Sequence, residues 1–114
     1  MPGPSETADA TGWTRVETRA AFVAAFADRP LEAPRMAFVI HASGRLAGTV
    51  SAANLVGRWE WREGLFCRRA WLDSVDLGLD REVIERCGYR MRYTGDAGRA
   101  EPRIVSLCAV QPPG

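Results

Sequence analysis

The chain contains no lysine; all fifteen of its basic residues are arginine. With no ε-amino group, Schiff-base chemistry and a lysine general base are excluded. Arginine-only usage fits a GC-rich genome, the alternative being a need for bidentate binding of carboxylate or phosphate. Histidine is almost as scarce. His41 is the single imidazole, so a Ser/His/Asp triad or a Cys/His dyad would have to use it. It falls at a strand end beside a turn, where a solvent-exposed histidine is the ordinary expectation. The three cysteines, Cys67, Cys87 and Cys108, lack C-x-x-C spacing, and they are too few for a structural zinc site, so no metal is expected. An odd number leaves at most one disulfide and one free thiol. No run approaches the ~18 apolar residues of a membrane helix. Charge of one sign is also lacking. The formal net charge is +1, with five arginines against five acids in residues 1–57 and ten against nine in 58–114. Phosphate backbones require a concentrated positive face, so nucleic acid is not an expected partner.

What is present reads as one domain of 114 residues, with 46% apolar and 25% charged content, both ordinary for a globular chain. "MPGPSETADATG" carries no signal-peptide pattern and reads as a polar, disordered leader over residues 1–12. The domain is expected over 13–110, with a tail at 111–114. "TRAAFVAAFADRP" predicts an amphipathic helix with Thr18 as N-cap, Phe22 and Phe26 as apolar anchors and Pro30 as the stop. From Pro34 the period changes to 2. Met36, Phe38 and Ile40 share a face, Ser43-Gly44 turns the chain, and Leu46 and Val50 follow. "GRWEWREG" alternates most clearly, placing Trp59 and Trp61 inward and Arg58, Glu60 and Arg62 outward. Glu63-Gly64 turns into "LFCRRAWL". "DSVDLGLD" reads as a loop, "REVIERCGYRMRYT" as a hairpin-like pair and "RIVSLCAV" as a last strand. The expected fold is α+β, mainly β: one N-terminal helix packed on a small antiparallel barrel or sandwich of about seven strands.

Few residues in this pattern carry chemistry. Trp59 and Trp61 lie on one strand face, where large aromatics are core by default and a pocket wall by alternative, with Trp71 and Trp13 as contributors. Arg58, Arg62, Arg68, Arg90 and Arg92 read as outward cross-strand partners of Glu60, Glu63 and Glu85. Arg68-Arg69 is an adjacent pair, so one of the two must point inward; an inward Arg69 would need an acidic partner. Asp73, Asp76 and Asp80 lack the D-x-D-x-D-G spacing of a calcium loop and read as solvated acids. "TGDAGR" reads as a strand connection whose glycines supply positive φ. No catalytic residue is assigned; an enzyme would have to use Cys67 or His41.

Trp59, Trp61, Gly64, Phe66, Cys67 and Arg68 spell W-x-W-x-x-G-x-F-C-R. Phe22 in the early helix, Gly44 and Gly48 in the hairpin, Leu77-Gly78, and Arg92, Tyr93, Thr94, Asp96 and Gly98 complete a pattern over residues 13–107. In these residues the chain resembles a group of small, mostly exported β-rich proteins of alphaproteobacteria, often labelled dihydrodipicolinate reductase. The reductase label does not carry over, because a nicotinamide cofactor needs a G-x-G-x-x-G turn that this chain lacks, and no cofactor is expected. The resemblance implies a small exported β-domain, hence the periplasm ahead of the cytoplasm. The group places a second cysteine a few residues after the Leu-Gly pair, where this chain has Arg81. Cys87 is then the candidate partner of Cys67, the alternative being no bridge.

Together these readings lead to a non-catalytic domain that recognises a protein partner or a small apolar ligand. Trp59, Trp61, Arg68, Arg69, Trp71 and Tyr93 are the candidate contact residues. The alternatives are an assembly subunit of a larger complex and a small cysteine- or histidine-dependent enzyme.

Overall fold

In the computed structural model, which describes residues 12–108, the alternating stretches form a continuous antiparallel sheet. The expected leader, Gly12 excepted, and the tail lie outside the described residues. The elements are β1 (Thr14–Val16), α1 (Arg19–Phe26), β2 (Pro30–Ala33), β3 (Met36–Ile40), β4 (Arg45–Val50), β5 (Ala53–Arg62), β6 (Leu65–Leu72), β7 (Val75–Cys87), β8 (Arg90–Thr94), α2 (Gly95–Gly98) and β9 (Arg103–Leu107). Strands β2 to β9 pair in sequence order and β9 returns to β2, closing an eight-stranded barrel; β1 adds to the far half of β7. The expected mainly-β fold with a packed helix is what forms, and of barrel and sandwich it is the barrel. Closure leaves the ring no edge strand over most of its length.

Three elements differ from expectation. Pro30 does more than stop the helix: it opens β2, a first-strand position where its missing N–H costs no ladder bond. Thr14–Val16 forms a short strand. Most consequentially, "DSVDLGLD" is not a loop. Only Asp73-Ser74 turns, and Val75–Asp80 is the first half of the long strand β7. The Asp and Gly that signal a turn mark a β-bulge instead. The register shifts between Ala70 and Trp71, Gly78 takes φ +78°, and Asp76 Oδ1 accepts the Gly78 N–H at 2.8 Å.

Helix α1 is short and closes one end of the barrel. Thr18 caps it, its hydroxyl accepting the Ala21 N–H at 3.1 Å. Its apolar side sends Phe22 and Phe26 fully inside. The Phe22 ring lies 5.3 Å from both Trp59 and Trp61, 5.2 Å from Phe66 and 6.0 Å from Phe26, centroid to centroid. Leu31, Ile84 and Val105 are fully buried in the same core cluster. Trp59 also donates its indole N–H to the His41 carbonyl at 2.8 Å, and Trp61 to the Glu17 carbonyl at 3.1 Å, so both polar handles are satisfied. Phe22→Ala is expected to cost about 3–5 kcal/mol in urea unfolding.

Where Glu63-Gly64 joins β5 to β6, both central residues have positive φ, the turn shape that matches the right-handed strand twist. The β4–β5 turn has the same shape but is built from Ser51 (φ 50°) and Ala52 (φ 72°). A side chain in the left-handed region costs roughly 1 kcal/mol per residue. Replacing the pair by Asn-Gly (S51N, A52G) is expected to raise stability by about 1–2 kcal/mol, read as an upward shift of the thermal midpoint.

Candidate functional site

The aromatic plug fills only one end of the barrel. Toward the other end the inward side chains of β3 to β9 enclose a cavity of about 390 Å³. Phe38, Leu46, Leu55, Leu72 and Met91 supply apolar wall, and Leu77 (44% exposed) and the exposed Arg103 stand at its mouth. Its polar groups are few: Arg68, Glu82, Tyr93 and Arg103. Apolar walls with a small number of placed polar groups are the usual composition of a small-molecule site.

The polar centre follows from strand parity. On β6, Phe66, Arg68, Ala70 and Leu72 share the inner face, and Arg68 stands opposite Trp59 on β5 and Asp80 on β7. Glu82, two residues on from Asp80, shares that face. Arg68 Nη1 donates to the Gly78 carbonyl at 3.1 Å. Its Nε lies 3.4 Å from Glu82 Oε2, and Nη2 lies 3.6 Å from Asp80 Oδ2. The Glu82 side chain is only 8% exposed. Burial pushes its carboxyl up to about 7, against the opposing pull of Arg68, with Asp80 adding to the rise. Asp80 is held from outside, its Oδ1 accepting the Arg81 and Asp96 N–H groups, each at 2.9 Å. Helix α2 brings Gly95 so close to this carboxylate that a Cβ would collide with it. The positive φ of that segment falls on Asp96 and Ala97 as well as Gly98, not on glycines alone as expected. Tyr93 donates its hydroxyl to Met36 Sδ at 3.7 Å, and burial, with the Glu82 charge, raises its pKa.

These positions correct several expectations. Arg68 does not sit in an outward row: it is the inward arginine. Arg69 points out, pairs with Asp76 at 2.8 Å and stacks over Trp71 at 5.4 Å. An acidic partner is indeed what the inward arginine has, but the arginine is Arg68. Trp59 and Trp61 are inward as expected, yet they belong to the plug and do not line the cavity, whereas Tyr93 does. Asp76 and Asp80 are engaged partners, and Asp73 Oδ1 accepts the Asn54 N–H at 2.8 Å, so none of the three is merely solvated. Cys67, Cys87 and Cys108 are all free thiols. Cys67 stands beside Arg81, six residues from Cys87 along β7, roughly 20 Å at the usual strand rise. No Cys67–Cys87 bridge spans that distance. His41 contacts Asp28, Nδ1 to Oδ1 at 3.4 Å. Among the described residues, no group of three or more His, Cys, Asp or Glu side chains is placed to hold a metal ion, and no helix is long and apolar enough to cross a membrane.

Glu82 was not anticipated. Ile84 was the available signal: it is fully buried, and period 2 then puts Glu82 and Asp80 on the inner face.

By fold and cavity the chain is a closed antiparallel β-barrel, plugged by a helix at one end and hollow at the other. No protein-family model, curated protein or solved structure matches it.

The raised Glu82 carboxyl makes stability depend on pH. The folded state holds this proton up to about pH 7, while the unfolded chain releases it near 4.5, so wild-type stability falls as pH rises between those values. The difference is worth up to about 3 kcal/mol. Glu82→Gln removes this dependence. Relative to wild type the variant is expected to gain stability from pH 4.5 to 7, with no further gain above that window, as read by urea unfolding across pH.

Proposed function

We propose that the barrel binds a small, largely apolar molecule in its interior, without catalysis. The observation that carries this reading is the cavity of about 390 Å³, sealed at one end by the Phe22 plug and reaching solvent past Leu77 and Arg103. A wall of leucine, methionine and phenylalanine that reaches solvent favours an apolar ligand, which removes that surface from water. The volume suits a molecule of about a dozen non-hydrogen atoms, at roughly 30 Å³ for each water-sized unit. The resemblance to exported β-rich proteins supports a place in the cell envelope. A second reading, docking of a protein partner, is supported by Val75 (61% exposed) and Leu79 (70% exposed) on the first half of β7, where apolar side chains stand in water.

Decanol tests the leading reading. Titration calorimetry is expected to give saturable one-to-one binding to the wild type. Leu72→Trp, which fills the hollow from its wall, is expected to weaken it at least tenfold with an unchanged circular-dichroism spectrum. Equal binding by both proteins would remove the interior site.

A further inference from the structure

The ligand's polar group is constrained by the charges that the cavity already holds. One guanidinium, that of Arg68, is shared between two carboxyl groups, Asp80 and Glu82. Its contacts with them, 3.6 and 3.4 Å, are longer than the ~2.7–2.9 Å of a charge-assisted hydrogen bond, and its shorter bond, 3.1 Å, goes to the Gly78 carbonyl. Glu82 is the deeper carboxyl, more than nine-tenths buried and part of the cavity wall. On β8, opposite Ile84, Tyr93 also lines the cavity. Its hydroxyl proton goes to a sulfur, which leaves the oxygen lone pairs available as a second acceptor. Tyr93 pairs with Ile84, two residues on from Glu82, so the two acceptors are diagonal neighbours on the cavity wall. Arg103 on β9, the cross-strand partner of Tyr93, is a second cation of the lining, but its side chain is exposed at the mouth, where water and salt screen it.

Granted the interior site proposed above, we infer that its occupant is an apolar amine, with its tail against Phe38, Leu55 and Leu72 and its ammonium group between Glu82 and Tyr93. An ammonium group brings three donors and one positive charge to the Tyr93 oxygen and to the Glu82 carboxylate, which shares the Arg68 guanidinium with Asp80. A carboxylate ligand would add a third acid to the same guanidinium. An alcohol would leave the charge of Glu82 uncompensated, which is costly in an apolar enclosure.

The test compares decylamine, decanol and decanoate by titration calorimetry at pH 8 and pH 5.5. The three share a chain length and differ in the head group. With wild type at pH 8, decylamine is expected to bind at least tenfold more tightly than decanol, and decanoate most weakly. At pH 5.5 the amine remains protonated while Glu82 takes up a proton, in a site it shares with Arg68, Asp80, Tyr93 and the rim Arg103, so the preference is expected to shrink. In Glu82→Gln the ratio of amine to alcohol affinity is expected to fall to about one at both pH values. Tighter binding of decanoate, or an amine preference that survives in Glu82→Gln, would overturn the amine assignment while leaving the interior site standing. Failure of all three to bind would overturn both.

Discussion

The ring of Phe22, set among Trp59, Trp61 and Phe66, is the contact on which the rest of this barrel depends. An eight-residue helix is marginal alone, and here it is held by burying its two phenylalanines in the barrel end. The barrel in turn gains a filled floor. Because the large aromatics are concentrated at that end, the smaller aliphatic side chains nearer the mouth do not meet across the axis, and a hollow remains. Plug and cavity thus arise from one uneven distribution of side-chain volume along the barrel.

Within that hollow the placement of charge is a consequence of pleat parity. Arg68 cannot leave the inner face without turning Phe66 and Ala70 out with it, since a one-residue slip exchanges the two faces of a strand. Its companions come from β7, which pairs with β6 over its first half and with β8 and β1 over its second. The bulge at Gly78 lets that strand run past both partners, and the turn at α2 steadies Asp80 from outside. Glu82 is left inside with part of one guanidinium, a buried acid whose charge the barrel only partly offsets.

Much of the scaffold was legible locally. The cap at Thr18, the anchors Phe22 and Phe26, the turns at Ser43-Gly44 and Glu63-Gly64 and the inward tryptophans each depend on residues close in the chain, and local propensity and period 2 suffice for them. The site was less legible. Asp73 to Asp80 has turn-like composition, but cross-strand bonds to β6 outweigh propensity there, and a side chain bonding to Gly78 N–H makes the glycine a bulge. With that segment taken for a loop, Asp80 had no face assigned to it; Glu82 lay in the stretch read as a strand, where the parity of Ile84 was the signal.

By itself the sequence determined the class of fold, the helix with its anchors Phe22 and Phe26, and the absence of lysine chemistry, because these follow from composition and short-range pattern. Only the tertiary structure decided that the sheet closes into a ring, that Arg68 rather than Arg69 turns inward, and that the tryptophans floor the barrel instead of lining its cavity. It also decided that Cys67 and Cys87 lie too far apart to bridge. Each of these is set by which residues meet across strands distant in the chain, and register between distant strands is a property of the closed sheet, not of any one segment.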